Sequence, residues 1–445
     1  MSSDSFRSFL LDLTYGAGLL AASPWLAFKL RTSERYRAGL KERLGDIPVR
    51  RGDRPCLWIH AASVGEVQAA RPLVAECRQR FPNLEIAIST QTQTGQEMAR
   101  SALPDCLSFY FPLDLSPIVR RVLDRIRPDC IALVEREIWP NFTAVAKSRG
   151  IPVVQVNSRL SASSLKGYRW LYPVIGETLQ SMDHFIVQSE EYAERLRQLA
   201  IHEERIQVAG NLKYDGIPTT IDAGAVARLS RETGIDKNPV EGVTPTPVFV
   251  CGSIHPQEVP IAVRAWRRCI DATPGVRLLL APRHLEKISD IEANLQELGV
   301  RHIRKTALSG RELPEDTVLI ADTMGELRGI YALASVVFVG GTFNQVGGHN
   351  LIEPAALGKP VLFGPHIHAQ SADAIALVAA GGAEQCQTEE MLAKQVCRLF
   401  NDRAHAESMG LRAQEVILSN VGAAKKTVDI LSPYLTTGET IDEQP

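Results

Sequence analysis

The 445-residue sequence predicts an α/β protein with two doubly wound domains. Short, uniformly apolar runs alternate with helical patterns along both halves, which is typical of parallel sheets whose strands are buried on both faces. A turn-rich stretch at 211–221 interrupts this alternation, and a mostly apolar segment at 9–30 precedes it. We therefore expect a membrane-associated N-terminal helix followed by two domains of similar size that face each other across a cleft.

Composition and spacing exclude several classes of protein. A formal net charge of −2 leaves no basic excess to neutralise phosphates, so we expect no nucleic-acid partner. The eight cysteines lie in apolar segments without C-x-x-C spacing, which indicates buried thiols in a reducing compartment. No metal is expected, because His366-x-His368 has no further ligand nearby.

The N-terminal region, 1–45, is interpreted as a membrane anchor helix with a basic flank. Its apolar run at 9–30 has about the length of a spanning helix, roughly 20 residues, although Asp12 and Pro24 interrupt it. Positive residues follow the run, which is atypical of a signal peptide and predicts that the rest of the chain stays cytoplasmic. The alternative is an amphipathic helix that packs on the core or lies in the membrane interface.

The first domain is assigned to 46–215. Apolar runs predict its strands and the stretches between them predict helices, so each strand connects to the next by a right-handed crossover. The predicted strands are 56–59, 84–88, 130–134, 152–156 and 185–187. The predicted helices are 66–81, 95–102, 115–126, 138–147 and 190–200.

The second domain is assigned to 216–420, where the same alternation restarts after a helix at 225–233. A last helix at 421–434, within a tail assigned to 421–445, is expected to return to the first domain. The predicted strands of the second domain are 248–250, 277–281, 317–321, 335–339 and 361–363.

Glu66 follows the first predicted strand at the start of a helix, where open parallel sheets place ligands. A carboxylate there is suited to take the proton of a weak nucleophile such as a sugar hydroxyl. Alternatively, Ser63 caps the helix and Glu66 completes a capping box. A hydrolase is a further alternative, because Ala61-x-Ser63-x-Gly65 resembles a nucleophile elbow with Ser63 as the nucleophile.

Two other strand ends of the first domain carry charged residues. Glu135 and Glu137 lie beside Trp139 and are suited to organise the hydroxyls of a sugar ring. A glycosidase also uses a carboxylate pair, but it does not need a second nucleotide-type domain. Lys213, in the turn 210–215, either offsets charge on a leaving phosphate or is a solvated hinge lysine.

In the second domain, the region 335–365 combines a strand, a glycine-rich turn and a helix that starts at Asn350. Such a turn lets the backbone approach a phosphate, and the helix dipole favours the negative charge. Alternatively, the turn only connects strand and helix, and Asn350 and Glu353 form a capping box. Polar loops that include Arg283 follow the preceding strands, which predicts a pocket at one edge of the sheet.

Seven different short motifs follow one another over most of the chain. They are SVGE at 63–66, EREIWPN at 135–141, NSRLS at 157–161, NLKYD at 211–215, PRH at 282–284, DTMGEL at 322–327 and GGHNLIEPAALGKPVLFGP at 347–365. Together they resemble the 3-deoxy-D-manno-octulosonic acid (Kdo) transferases of lipopolysaccharide assembly. The segment GTFNQ at 341–345 departs from the GSLVE-like form associated with that family.

The resemblance implies a GT-B glycosyltransferase with an acceptor-binding first domain and a donor-binding second domain, both Rossmann-like. The donor would be CMP-Kdo and the acceptor the lipid A precursor lipid IVA, beside phospholipid at the cytoplasmic face of the inner membrane. The reaction would be a single inverting displacement without a metal or other cofactor. By position, Glu66 would be the general base, and Glu135 and Lys213 would stabilise the transition state. The implied CMP contacts are Pro282, Arg283, Met324, Gly325, Glu326, Asn350, Leu351, Ile352 and Glu353.

Two other functions remain alternatives to a transferase. One is a serine hydrolase that uses Ser63, and the other is a non-catalytic, membrane-tethered nucleotide-binding scaffold.

Overall fold

The computed structural model describes residues 12–13, 23, 31–32, 37–235, 246–270, 273–308, 310–368 and 371–436. Two compact units make up the chain: Met1–Gly216 together with Asn420–Pro445, and Ile217–Ser419. Apart from Asp12, Leu13 and Ser23, the anchor predicted at 9–30 lies outside the described residues. No helix in the described part of the chain is both long and apolar enough to cross a bilayer.

The first unit alternates strands and helices along its sequence. Its strands are β1 Cys56–His60, β2 Glu85–Thr90, β3 Leu107–Tyr110, β4 Cys130–Val134, β5 Val153–Ser158, β6 His184–Val187 and β7 Ile206–Val208. Its helices before residue 217 are α1 Leu40–Arg43, α2 Val64–Arg80, α3 Gln93–Ala102, α4 Ser116–Ile126, α5 Pro140–Ser148, α6 Ala162–Ser181, α7 Glu190–Arg197 and α8 Leu212–Asp215.

The strands of the first unit form one parallel sheet in the order β3-β2-β1-β4-β5-β6-β7. β1 lies in the middle of the sheet, and β2 and β3 follow it outward on one side. β4 then pairs with the other side of β1, so the winding direction reverses between β1 and β4. Every residue of these two central strands is buried. This explains their uninterrupted apolar sequence, because each strand packs against helices on both faces.

The second unit repeats this plan. Its strands are β8 Val248–Ile254, β9 Arg277–Pro282, β10 Arg301–Arg304, β11 Thr317–Ile320, β12 Val336–Val339, β13 Val361–Phe363 and β14 Ala383–Gln385. Its helices are α9 Ala223–Thr233, α10 Val259–Ile270, α11 Ile288–Glu297, α12 Lys305–Leu308, α13 Leu327–Leu333, α14 Ile352–Ala356, α15 Ser371–Ala379, α16 Glu389–Asn401 and α17 Arg403–Leu418.

The second sheet is also parallel, in the order β10-β11-β9-β8-β12-β13-β14. Its winding direction reverses between β8 and β12. The prediction of two doubly wound α/β units is therefore confirmed. The predicted buried thiols are also confirmed for all cysteines except Cys397, which is partly exposed, and all eight are free.

The last helix, α18 Ala423–Leu435, belongs to the first unit. Its residues Val428, Leu431 and Leu435 are buried in the same apolar cluster as residues of α2. The Asp215 carboxylate accepts hydrogen bonds from the backbone N–H groups of Gly422 and Ala424. These N–H groups have no acceptor within the helix, so Asp215 caps α18 across more than 200 residues of sequence.

Asp12, which interrupts the apolar N-terminal run, has a structural role in the first unit. Its Oδ1 accepts hydrogen bonds from Ser116 N at 2.9 Å and from Asn141 Nδ2 at 3.0 Å. Ser116 begins α4 and Asn141 lies in the first turn of α5. The carboxylate therefore lies at two positive helix N-termini, where negative charge is favoured.

Candidate functional site

A polar pocket of about 410 Å³ lies in the first unit. It is at the carboxyl ends of β1, β4 and β5, which includes the point where the winding of the sheet reverses. This is where open α/β sheets bind ligands. The residues that line it are Ser63, Glu66, Glu135, Arg136, Glu137, Arg159, Ser164 and Tyr168.

Glu66 lies in the first turn of α2, directly after β1. Its Oε2 accepts a hydrogen bond from Ala62 N at 2.7 Å, and its Oε1 accepts one from the Ser63 hydroxyl at 3.1 Å. Burial, together with the negative charges of Glu137 and Glu135, raises the pKa of Glu66 from 4.5 to about 7. These effects outweigh the two hydrogen bonds, which by themselves would lower the pKa. Glu66 is therefore a more basic carboxylate than usual, and it faces the pocket.

Neither alternative proposed for this turn takes its usual form. Ser63 occupies the N-cap position, but its side chain makes no capping hydrogen bond, and Glu66 binds the N–H of Ala62 instead of the N-cap N–H. A capping box is therefore absent from this described turn. The hydroxyl of Ser63 donates to a carboxylate, whereas a nucleophilic serine is usually activated by a histidine base.

Glu135 has a backbone conformation that is rare for a residue with a side chain. Its φ is 63°, in the left-handed region, and its N–H donates to Val156 O at 2.9 Å. Arg159, which follows β5, places its Nε 2.8 Å from Glu135 Oε2. A strained backbone together with a charged partner fixes the Glu135 carboxylate at the pocket, and such strain is concentrated at functional sites.

Glu137 is held by aromatic neighbours. Its Oε2 accepts a hydrogen bond from Trp139 Nε1 at 2.8 Å and lies 3.6 Å from Nε2 of the fully buried His60. Burial acts to raise the pKa of Glu137, but His60, the Trp139 N–H and Arg136 outweigh it, so this pKa lies below its ordinary value. Glu137 thus stays ionised and keeps a fixed negative charge near Glu66.

Lys213 lies in α8, in the same unit but outside the lining of this pocket. The Asn211 side chain accepts a hydrogen bond from Lys213 N at 3.0 Å. Asn157, itself in the left-handed region with φ 52°, accepts a hydrogen bond from Leu212 N through its side chain. The NSRLS and NLKYD motifs are therefore joined, since Asn157 positions the helix that carries Lys213.

The second unit gathers its predicted polar loops at the carboxyl ends of neighbouring strands. His255 follows β8, Arg283 follows β9, Asp322 lies in the loop after β11, and His349 lies in the loop after β12. These strands are adjacent in the order β11-β9-β8-β12. The structure thus brings these loops to one edge of one sheet.

The glycine-rich turn after β12 is bound by a buried side chain that sequence reasoning missed. The carboxylate of Glu258, 1% exposed, accepts hydrogen bonds from the N–H groups of Gly341, Thr342 and Phe343 at 2.8–3.0 Å. It also accepts one from His255 N at 3.1 Å. The N–H groups of residues 341–343 are therefore bound by a protein carboxylate and are not free to bind a phosphate. The phosphate site predicted at the start of the following helix stays a prediction.

The helix predicted from Asn350 begins two residues later, at Ile352. Asn350 Oδ1 accepts a hydrogen bond from Ile352 N, and Asn350 Nδ2 donates to Glu353 Oε1, both at 3.0 Å. The side chains of Leu351 and Ile352 are fully buried. Their backbone atoms are equally inaccessible, because each whole residue is 0% exposed.

The remaining predicted donor residues lie on two loops. Arg283 is exposed next to Pro282, and Met324 is 77% exposed beside Gly325. The Glu326 carboxylate accepts hydrogen bonds from Lys305 and from the Thr323 hydroxyl. Among the described residues, no cluster of His, Cys, Asp and Glu side chains has a metal-binding arrangement.

Sequence comparisons place these features in a family. A family model described as "3-Deoxy-D-manno-octulosonic-acid transferase (kdotransferase)" matches residues 38–216. The chain is 33% identical to the 3-deoxy-D-manno-octulosonic acid transferase of Haemophilus influenzae, over 91% of this chain and 93% of the relative. It is 33% identical to that of Bordetella pertussis, over 85% and 87%, and 29% identical to that of Chlamydia pneumoniae, over 97% of each chain.

Solved structures share the fold over both units. Acinetobacter baumannii MurG matches with a TM-score of 0.55 at 12% identity, covering 86% of this chain and all of that one. UDP-GlcNAc 2-epimerase from Neisseria meningitidis, bound to UDP-GlcNAc, matches with a TM-score of 0.55 at 15% identity, covering 85% of this chain and all of that one. At these identities the likeness shows the fold alone, and that fold is GT-B, as predicted.

Proposed function

The chain belongs to the 3-deoxy-D-manno-octulosonic acid (Kdo) transferase family, and from this premise we propose that it transfers Kdo from CMP-Kdo to the lipid A precursor lipid IVA. The first unit is assigned to the acceptor and the second to the donor. The reaction is an inverting displacement in which the acceptor hydroxyl oxygen attacks the anomeric carbon of Kdo while the bond from that carbon to the phosphate oxygen of CMP breaks. The hydroxyl proton goes to Glu66, and CMP leaves with the bonding electron pair.

The observation that carries this proposal is the position of Glu66 at the polar pocket together with its raised pKa. A general base works best when its pKa is near the operating pH, because it is then both ionised and basic enough to accept a proton. The pKa of about 7 meets this condition. The same device, a carboxylate made basic by burial, is known from other enzymes that act on sugars.

The other roles are assigned by position. Glu135 and Lys213 stabilise the transition state, Glu135 on the sugar side and Lys213 on the side of the leaving phosphate. Arg283, as a planar fork of donors, suits the phosphate of CMP. The donor site is completed by Pro282, Met324, Gly325, Glu326, Asn350, Leu351, Ile352 and Glu353.

We assign the protein to the cytoplasmic face of the inner membrane, next to its lipid acceptor. The basic flank of the N-terminal region suits anionic phospholipid.

The decisive experiment replaces Glu66 by Gln in the full chain and incubates the variant with CMP-Kdo and lipid IVA. Mass spectrometry of the lipid is expected to show no added Kdo, whereas calorimetry still shows CMP-Kdo binding, because the amide keeps the shape and removes the base. Gln68→Ala, on the exposed face of the same helix, is the matched control and should transfer Kdo normally. Turnover by Glu66→Gln close to that of the wild type would show that Glu66 is not the base.

A further inference from the structure

Two histidines of the second unit, His255 and His349, form a direct hydrogen bond that joins the loops after β8 and β12. Their Nε2 atoms are 2.8 Å apart. The rings are nearly coplanar, at 9°, and their centroids are 5.1 Å apart. That separation is about equal to the N···N distance plus the two centre-to-nitrogen radii, so the rings meet edge to edge and the bond is close to linear.

The bond spans the position where the winding of the second sheet reverses. β8 and β12 are the neighbouring strands at this reversal. In doubly wound sheets this position binds the ligand. A Cβ at residue 341 would lie 2.9 Å from His349 Nε2, so Gly341, with φ 74°, leaves the space that the pair occupies.

The hydrogen-bond partners of His255 determine its tautomer. The N–H of Glu258 is shared between the His255 carbonyl oxygen, at 3.0 Å, and the His255 side chain, with which it forms the capping box of the one-turn helix Pro256–Glu258. Because Nε2 faces His349, the accepting atom is Nδ1, and an accepting nitrogen carries no proton. Neutral His255 is therefore protonated at Nε2.

The tautomer of His349 follows from that of His255. His255 Nε2–H donates to His349 Nε2, which must accept, so the proton of His349 is on Nδ1. Adding a proton to His255 Nδ1 or to His349 Nε2 would break one of these hydrogen bonds. His349 is thereby held as a neutral donor with its N–H directed away from His255.

The charges around the pair also favour its neutral form. Arg283 and His284 follow β9, with the His284 ring centroid 5.8 Å from that of His255, and the buried Glu258 is already bound by backbone N–H groups. Burial, together with His255, Arg283 and His284, lowers the pKa of His349 to about 4. Burial also lowers the pKa of His255, with Arg283 and His284 acting in the same direction and Glu258 in the opposite one. A ligand at this edge thus meets one permanent cation, Arg283, and one neutral N–H donor.

We propose that His255 positions His349 so that its Nδ1–H, together with Arg283, binds an anionic oxygen of the donor substrate. This oxygen belongs either to the phosphate or to the carboxylate of the sugar acid, and the inference rests on the proposed function for the identity of that donor. His349 is the residue in contact with the ligand, and His255 acts through it.

The tautomers are tested first, without ligand, by nitrogen-15 NMR of the full chain labelled at histidine. We expect the signature of a protonated Nδ1 for His349 and of a protonated Nε2 for His255 at neutral pH. His255→Leu should release His349 from this state, whereas His255→Gln, whose amide can still donate to Nε2, should preserve it. A protonated Nε2 on His349, or an imidazolium at neutral pH, would overturn the proposal whatever the reaction is.

Binding is tested with the same variants and two ligands, CMP and CMP-Kdo. We expect His255→Leu and His349→Leu to weaken CMP-Kdo binding about 10-fold or more, with His255→Gln close to the wild type. The control His302→Leu, on β10 of the same unit, should have no effect. A parallel loss of CMP affinity assigns the oxygen to the phosphate, and an unchanged CMP affinity assigns it to the carboxylate.

Unchanged binding of both ligands by His349→Leu would refute the contact between His349 and the donor. Wild-type protein that binds neither ligand would refute the proposed function together with this contact. The tautomers would then be judged by NMR alone.

Discussion

At the residue scale, the raised pKa that suits Glu66 to act as a base also lowers the stability of the folded protein at high pH. Its pKa in the folded protein, about 7, lies above the ordinary value of 4.5. The folded state therefore binds more protons than the unfolded state between these values, and the stability contributed by Glu66 falls as the pH rises through that window.

Replacing Glu66 by Gln should therefore stabilise the protein at high pH. Above pH 7 we expect the free energy of unfolding of the variant to exceed that of the wild type by about 1–3 kcal/mol, after allowance for solvent screening. The two should converge below pH 4.5. Urea denaturation at pH 4.5 and pH 8 measures the difference, and a variant that is less stable at pH 8 would contradict the raised pKa.

The left-handed conformation of Glu135 makes a second prediction. At φ 63° a Cβ costs about 1–2 kcal/mol, which glycine avoids. We expect Glu135→Gly to be about 1 kcal/mol more stable than Glu135→Ala, while both lose transfer activity. At Gln68, in the regular helix α2, the order should reverse, with the Gly variant about 1 kcal/mol less stable than the Ala variant. Equal stability of the Gly and Ala variants at 135 would mean that the backbone there is relaxed.

Which site residues the sequence reveals depends on how local their signal is. Glu66 and Glu135 lie after apolar strands, so the rule that ligands meet strand ends identifies them as candidates, whereas their roles in the reaction come from the family resemblance. Arg159 was missed because its contact with Glu135 requires β5 to lie beside β4, which the chain order does not state. Glu258 was missed because it binds a turn more than 80 residues away, and its only local signal was an acidic residue after His255-Pro256.

At the element scale, the strands that the sequence did not reveal are the outermost ones. β3 and β7 flank the first sheet and β10 and β14 flank the second in the described residues. Each has at most two fully buried residues, and β10 has none. Their sequences therefore lack the continuous apolar run that identified the inner strands. Helix α6 was missed for a different reason, since Gly167, Pro173 and Gly176 interrupt its helical pattern.

The loop after β12 should depend on Glu258 for its conformation. In Glu258→Gln one oxygen acceptor is replaced by an amide that faces the N–H donors of residues 341–343, so we expect a loss of about 2–4 kcal/mol in the free energy of unfolding of the second unit. Donor affinity should fall with it, because the same loop continues to His349 and Asn350. Glu297→Gln, at the exposed end of α11, is the matched control for denaturation and CMP titration. Wild-type stability in Glu258→Gln would show that the turn holds its shape unaided.

At the scale of the whole molecule, the first unit is closed by a helix from the far end of the chain. Asp215→Ala removes the acceptor for two N–H groups at the start of α18, and we expect it to destabilise the first unit by about 1–2 kcal/mol. Asp222→Ala removes an equivalent cap from α9 and should act on the second unit instead. Thermal unfolding, followed by the fluorescence of a separate label on each unit, distinguishes these results. An unchanged stability of the first unit in Asp215→Ala would show that apolar packing alone holds α18.

The origin of α18 also sets the order in which the protein can fold during synthesis. Residues 217–419 form one continuous stretch, so the second unit has all its strands once that stretch has left the ribosome. The first unit begins to emerge much earlier, yet the apolar residues of α2 that pack against Val428, Leu431 and Leu435 stay uncovered until residues 423–435 have been synthesised. The first unit of a nascent chain therefore exposes apolar surface while the second unit is synthesised and folds. We expect chaperones to bind the first unit during this interval.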